Sequence, residues 1–309
     1  MNIVVAAFYK FVQLDDYQQL RGPLLTLCQQ HELRGTILLA PEGINSTIAG
    51  SRAGIDALGA FLRADGRFDG LEYKESLADD YPFYRMKIRL KKEIVTMGMP
   101  ETEPQRIAGK HVGPAEWNAL LNDPDVVVID ARNQYECDIG MFKNAVSPVT
   151  DTFREFPEYV ARNLDPQKNK KIAMYCTGGI RCEKASAYML KQGFSEVYQL
   201  NGGILRYFEE ASPDENLWQG ECFVFDGRVA VDEQLHPGVH QMCFSCRRPV
   251  SPEERESEKY ELGVSCPACY DGLTAERRAS LEERQRQIKL AEQRHQRHIG
   301  VPFNPDPVA

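Results

Sequence analysis

The sequence has no apolar run approaching the length of a membrane-spanning helix. Its first ten residues, Met1 to Lys10, lack both the basic start and the long apolar core of a secretory leader; a first strand and a cytoplasmic location are expected. Positive charge is in deficit: the net charge of −8 excludes indiscriminate nucleic-acid binding and confines any such binding to a local patch. The six histidines are scattered, His236 and His240 do not make a facial triad, and no haem or flavin motif is visible. No internal repeat is found. The nine cysteines form no regular framework, and two Cys-x-x-Cys pairs fit metal or thiol chemistry in a reducing compartment better than disulfides. What is present is the composition of a globular protein, 42% hydrophobic and 27% charged, over 309 residues that suit two or three domains.

The expected fold class is α/β in three parts. Residues 1–92 alternate as strand, helix, strand, strand, helix, strand, with strands near 2–9, 34–40, 43–49 and 83–91 and helices near 15–31 and 52–64, which predicts a ferredoxin-like, acylphosphatase-like domain. Residues 93–119, with several Gly and Pro between Thr96 and Pro114, are expected to be a linker. From 120 to 212 strands alternate with helices, the pattern of a parallel sheet covered on both faces. Residues 213–309 carry the paired cysteines and then a charged helical tail.

Chemistry concentrates in Cys176-Thr177-Gly178-Gly179-Ile180-Arg181, a loop after the strand Lys171–Tyr175 and before a helix expected to begin near Glu183. A loop entering a helix aims backbone N–H groups at one point, and with the Arg181 guanidinium these favour the Cys176 thiolate, so Cys176 is expected to be a nucleophile. Gly178 and Gly179 allow the positive φ needed to curl around a small anion. Tyrosine phosphatase loops are one residue longer and usually have His before the Cys, where this chain has Tyr175; the shorter ring suits a smaller group, such as the outer sulfur of a persulfide. The bland alternative is a buried, inert thiol before a routine turn. Cys182 is either a resolving thiol for Cys176 or a packed helix residue. Cys28, Cys137 and Cys222 are assigned to packing.

Cys243-x-x-Cys246 and Cys266-x-x-Cys269, nineteen residues apart, have the spacing of a four-thiolate structural zinc site. In the strand 83–91 the period of two puts Arg85, Lys87, Arg89 and Lys91 on one face and Met86, Ile88 and Leu90 on the other. The basic row is either a track for phosphates or a solvated edge. A second basic stretch, Arg277 to His298, is diluted by glutamates and is expected to be a solvated helix.

Val126 to Arg132, Tyr135, Glu136, Gly140 and Ala145, with Gly193 to Val197 and Leu200 to Gly203, resemble the rhodanese signature over about residues 120–212, although Met141 and Tyr207 stand where many rhodaneses have His and Trp. Ala40 to Thr47, Asp151 to Glu155 and Met174 to Ser186 further resemble the bacterial rhodanese-containing tRNA uridine hydroxylases, over nearly the whole chain. That resemblance implies an enzyme using molecular oxygen as co-substrate to make 5-hydroxyuridine at tRNA position 34, the first step towards 5-carboxymethoxyuridine-type modification. It implies Cys176 as the persulfide-forming catalytic cysteine, Arg181 beside it, Asp130 and Arg132 in support, the tRNA anticodon loop as partner, and an unidentified electron or sulfur donor. A sulfurtransferase, and a non-catalytic RNA- or protein-binding module, are the rival readings.

Overall fold

The structure, a computed structural model, describes residues 3–295 and divides into two compact units, Met1–Gly238 and Val239–Ala309.

The first unit opens with strand β1 (Ile3–Phe11), helix α1 (Tyr17–Gln30), β2 (Arg34–Ala40), β3 (Gly43–Gly50), α2 (Arg52–Arg63), β4 (Lys74–Ala78) and β5 (Met86–Leu90). Ser51 caps α2 by accepting from the Gly54 N–H. The sheet runs β4-β1-β3-β2-β5. The fourth strand of the ferredoxin-like arrangement is therefore Lys74–Ala78, and not the segment near 83–91 that side-chain alternation predicts. That segment is instead a fifth, edge strand, parallel to β2. The signal at 74–78 is weak because only Lys74 and Ala78 are buried, leaving little apolar alternation to read. Val4, Ala6, Phe8, Ile37, Leu39, Ile44, Ile48 and Ile88 pack under the helices. Alternation sends Val5, Ala7, Tyr9, Thr36, Leu38, Asn45 and Thr47 to the opposite face.

A second sheet of the same unit runs β6-β10-β9-β7, all parallel: β6 (Lys110–Val112), β7 (Val126–Asp130), β9 (Lys171–Tyr175) and β10 (Glu196–Leu200). Around it lie α3 (Pro114–Asn122), α4 (Gln134–Cys137), β8 (Gly140–Phe142), α5 (Phe156–Asn163), α6 (Ile180–Lys191) and α7 (Gly203–Glu210). Two expected boundaries move. The linker gives way at β6 and α3, because three residues with only Val112 buried carry no readable period. Residues 213–238 belong to the first unit, where β11 (Trp218–Gly220) pairs with β8, β12 (Cys222–Phe223) pairs with β13 (Ala230–Val231), and Trp218 stacks edge-on against Phe142.

The two sheets of this unit are tied by buried charge. Lys184 of α6, 1% exposed, holds Glu42 at 2.8 Å and Glu93 at 2.7 Å. Tyr9 of β1 donates to Glu183 at 3.0 Å.

The second unit contains β14 (Gln241–Met242), β15 (Pro249–Val250), α8 (Pro252–Arg255) and α9 (Ala275–Gln293). Leu281 is the one buried residue of α9, as a solvated charged helix requires. The end of the expected basic stretch, including His298, lies outside the described residues. Among the described residues no helix is long and apolar enough to cross a membrane.

Candidate active site

Strand β9 delivers Cys176 to the mouth of α6. The helix begins at Ile180, three residues before the expected start, so Arg181 and Cys182 lie in its first turn. Gly179 is the N-cap at φ +95°, the left-handed region that glycine enters without strain; Gly178 does not share that conformation. The Gly179 N–H donates to Cys176 Sγ at 3.2 Å. Gly203, at φ +70°, closes the loop from the other side: a Cβ there would sit 2.4 Å from the Cys176 carbonyl oxygen, while the Ile204 N–H donates to that same oxygen at 3.0 Å.

Burial pushes the Cys176 thiol up, but hydrogen bonding from Cys182, the Arg181 charge and the N–H groups of the first helical turn outweigh it and bring its pKa down to about 6. Cys182 is itself fully buried and held well above the ordinary thiol range, first by burial and then by the neighbouring Cys176. It stands next to Cys176 as a hydrogen-bond donor. Burial likewise pushes Cys28 up to about 11 and Cys137 and Cys222 up to about 12, as packed thiols require.

Arg181 is not turned wholly to the thiol. Its guanidinium grips Glu136 of α4 with two bonds of 2.7 Å, and the same carboxylate accepts from the Thr177 hydroxyl at 3.3 Å and the Asn133 N–H at 3.1 Å. Arg181 therefore acts on Cys176 from within a neutralised, buried pair. Asp130 and Arg132, both 0% exposed, form a second such pair at 2.6 Å; Arg132 also donates to the Gly140 carbonyl at 2.6 Å and fixes the chain behind the loop.

Cys176, Thr177, Gly178, Ile180 and Arg181 form one wall of a cavity of about 570 Å³. The opposite wall is the helix-free face of the first sheet, including Tyr9, Thr47, Lys74 and Ser76, and the polar hairpin Ala40 to Thr47 enters through Asn45. Phe225, 55% exposed, offers a ring face beside Arg181, 5.8 Å from its guanidinium carbon. Tyr9, Glu183 and His111, which sequence reasoning missed, are linked in a row: Glu183 Oε1 accepts from Tyr9 at 3.0 Å and lies 2.9 Å from His111 Nε2. The hydrogen bond to Glu183 holds His111 above the usual histidine pKa. No periodicity joins residues so far apart in the chain; only the docking of the two sheets does.

Of the basic row, Arg85 and Arg89 are exposed and Lys87 is half-buried on β5. Register pairs Lys87 with Thr36 and Arg89 with Leu38, so the row continues the cavity face to the sheet edge, and Lys91 just beyond it lines the cavity. The apolar side holds at Ile88, 7% exposed, and fails at Leu90, 40% exposed, where the strand ends.

Comparison with known families matches residues 3–94 to the UPF0176 acylphosphatase-like domain and residues 113–210 to the rhodanese-like domain. The chain thus joins a UPF0176-type acylphosphatase-like domain to a rhodanese-like domain. Among solved structures, a protein of unknown function from Rhodopseudomonas palustris, described as a possible tyrosine phosphatase, is 24% identical, with 36% of this chain and 87% of that one covered and a TM-score of 0.31. The rhodanese-like domain of an Anabaena protein is 17% identical over 36% of this chain and 78% of its own, at 0.30. A rhodanese-related protein from Thermoplasma volcanium is 22% identical over 34% and 95%, at 0.26.

In the second unit the four expected ligands converge. All four Sγ atoms lie within 4.8 Å of one another, with Cys243–Cys269 at 3.9 Å, Cys246–Cys266 at 3.7 Å and Cys266–Cys269 at 3.8 Å. A tetrahedron with zinc–sulfur bonds of about 2.3 Å has sulfur–sulfur edges of about 3.8 Å. The thiols fit zinc, and with Val250 and Tyr260 they make up the core of this unit.

Proposed function

We propose that the protein hydroxylates uridine at the wobble position of tRNA, making 5-hydroxyuridine with molecular oxygen, and that Cys176 is the nucleophile. The observation that carries this reading is the cavity itself. At about 570 Å³ it falls in the range of roughly 300–1,000 Å³ typical of sites for whole small molecules, far more than sulfur transfer from thiosulfate alone would need. It sets a low-pKa thiol in the same cavity as one exposed aromatic face, Phe225 beside Arg181, on which a base extruded from an RNA loop can stack. The basic row on β5 leads from the same face to the surface, where it can follow phosphates.

In this reading the Cys176 sulfur adds to C6 of the base and makes C5 electron-rich towards an oxygen species. Hydroxylation consumes one O₂ and two electrons, with the second oxygen atom leaving as water; the electron donor is a separate partner. The two domain matches support the reading, because the sheet that completes the cavity is the UPF0176-type acylphosphatase-like domain and not part of the rhodanese domain. The test is mass analysis of tRNA from a deletion strain complemented with wild type or Cys176→Ser. The serine variant is expected to leave no 5-hydroxyuridine. Wild-type levels of that nucleoside would overturn the assignment of Cys176, and a persulfide on Cys176 with no change in tRNA would favour simple sulfur transfer.

A further inference from the structure

Among the described residues, four cations line the cavity, and they differ in what holds them. Arg181 is neutralised by Glu136, and Arg228 is bound to Asp226 at 2.6 Å and to Ser76 at 2.7 Å. Lys91 stands exposed at the rim. Lys74 is only 7% exposed, yet among the described residues its ammonium has no ion pair and no hydrogen bond; its one close partner is the Tyr9 ring, 4.8 Å from nitrogen to ring centre. Other deeply buried cations here are paired, Lys184 with two glutamates and Arg132 with Asp130. Strand register explains why Lys74 faces inwards: β4 sets it opposite Ala7 and sets Ser76 opposite Val5, all four on the helix-free face.

We propose that Lys74 is a catalytic residue of this cavity, whose ammonium receives the negative charge that develops on the O4 carbonyl oxygen of the pyrimidine base. The identity of the oxygen rests on the uridine reading above; the role of Lys74 as the cavity's buried and unpaired cation rests on geometry alone. In the step concerned the Cys176 sulfur anion forms a bond to C6, the C5=C6 π pair moves towards C4, and O4 becomes an enolate oxygen. Charge thus leaves sulfur and arrives at oxygen inside one enclosed space, and a cation not already committed to a carboxylate serves both ends of that movement. The electrostatics agree. Burial is the main influence lowering the Lys74 pKa and Arg206 adds to it, while Glu72 and the charge on Cys176 act in the opposite direction. An unpaired buried cation burdens the fold, and such groups cluster at sites that bind charge.

The test compares wild type, Lys74→Met and Lys74→Gln in three measurements. The first is the rate of Cys176 alkylation by iodoacetate relative to iodoacetamide, two probes of nearly equal size that differ in charge, so that access cancels in the ratio. The ratio is expected to fall about tenfold on removing the cation, the factor carried by one pKa unit of interaction. The second is thermal stability, expected to be unchanged or higher, since a merely structural lysine would lower it. The third is 5-hydroxyuridine in complemented cells, expected to fall at least tenfold. An unchanged alkylation ratio, or full product with either variant, would overturn the proposal. A wild-type strain without 5-hydroxyuridine would overturn the uridine reading and the O4 assignment with it, while the alkylation ratio would still decide whether Lys74 is the cavity's active cation.

Discussion

The Glu136→Gln substitution probes the support of the reactive loop. Glu136 is 0% exposed and its carboxylate receives two guanidinium N–H groups at 2.7 Å, besides the Asn133 N–H and the Thr177 hydroxyl. A glutamine of the same shape keeps one acceptor oxygen but turns an NH₂ group towards Arg181, leaving a buried guanidinium without its counter-charge. Removing one partner of a buried pair costs about 3–5 kcal/mol, and in a unit of this size that lowers the melting temperature by roughly 6–20 °C. The unneutralised Arg181 should also pull the Cys176 thiol below its pKa of about 6. Combining Glu136→Gln with Arg181→Met should restore much of the lost stability and raise the thiol pKa, because neither side then carries a buried charge. Denaturant unfolding of the four proteins gives the coupling energy, and iodoacetamide alkylation against pH gives the thiol pKa. A loss below about 1 kcal/mol for Glu136→Gln, or a double variant that merely sums the single losses, would refute the reasoning.

Alkylation of wild-type Cys176 should rise with a midpoint near pH 6, since the thiolate dominates at neutral pH and is lost as pH falls through that value; a midpoint above the ordinary thiol value of roughly 8.5 would contradict the hydrogen-bonding argument. Because the folded pKa lies below that unfolded value, the thiolate stabilises the fold most fully above the unfolded pKa, and its contribution disappears as pH falls through about 6. Purified protein should hold one zinc ion per chain, and Cys243→Ser should release it and increase amide exchange across 239–295 while leaving the first unit's unfolding transition in place; metal analysis near zero for the wild type would refute the site. Neutralising Arg85 and Arg89 should weaken tRNA binding and reduce the slope of log K against log salt by about 0.7–0.9 for each phosphate no longer neutralised. Ile88→Asp should instead unfold the first domain by burying a charge, and an unaltered salt slope in the arginine double variant would return the row to a solvated edge.

What can be read from the sequence is local. The loop from Cys176 to Arg181, the two cysteine pairs and the alternation around Ile88 each lie within a few residues, so spacing alone carries their geometry. Lys74–Ala78 escapes detection as a strand because the side chains it turns to the buried face are Lys74, Ser76 and Ala78, so its pattern has no hydrophobic period. Arg181 reads in the sequence as the free charge partner of the thiol because Glu136, though part of the visible rhodanese signature, lies 45 residues away along the chain. Glu42 and Glu93 have no meaning until Lys184 is placed between them, and Tyr9 none until Glu183 meets it. The misplacing of residues 213–238 in the C-terminal part has the same origin: strands of two or three residues gain their place from Phe142, Tyr175 and Trp218 packing edge to face, not from any period of their own.

The most direct test of the central claim is isotopic. Cells whose only copy of this protein is wild type, grown under ¹⁸O₂, should yield tRNA in which the 5-hydroxyl of uridine 34 is two mass units heavier, and cells carrying Cys176→Ser should yield unmodified uridine there. A 5-hydroxyuridine that stays unlabelled under ¹⁸O₂, or one that persists with label in the serine variant, would contradict the account.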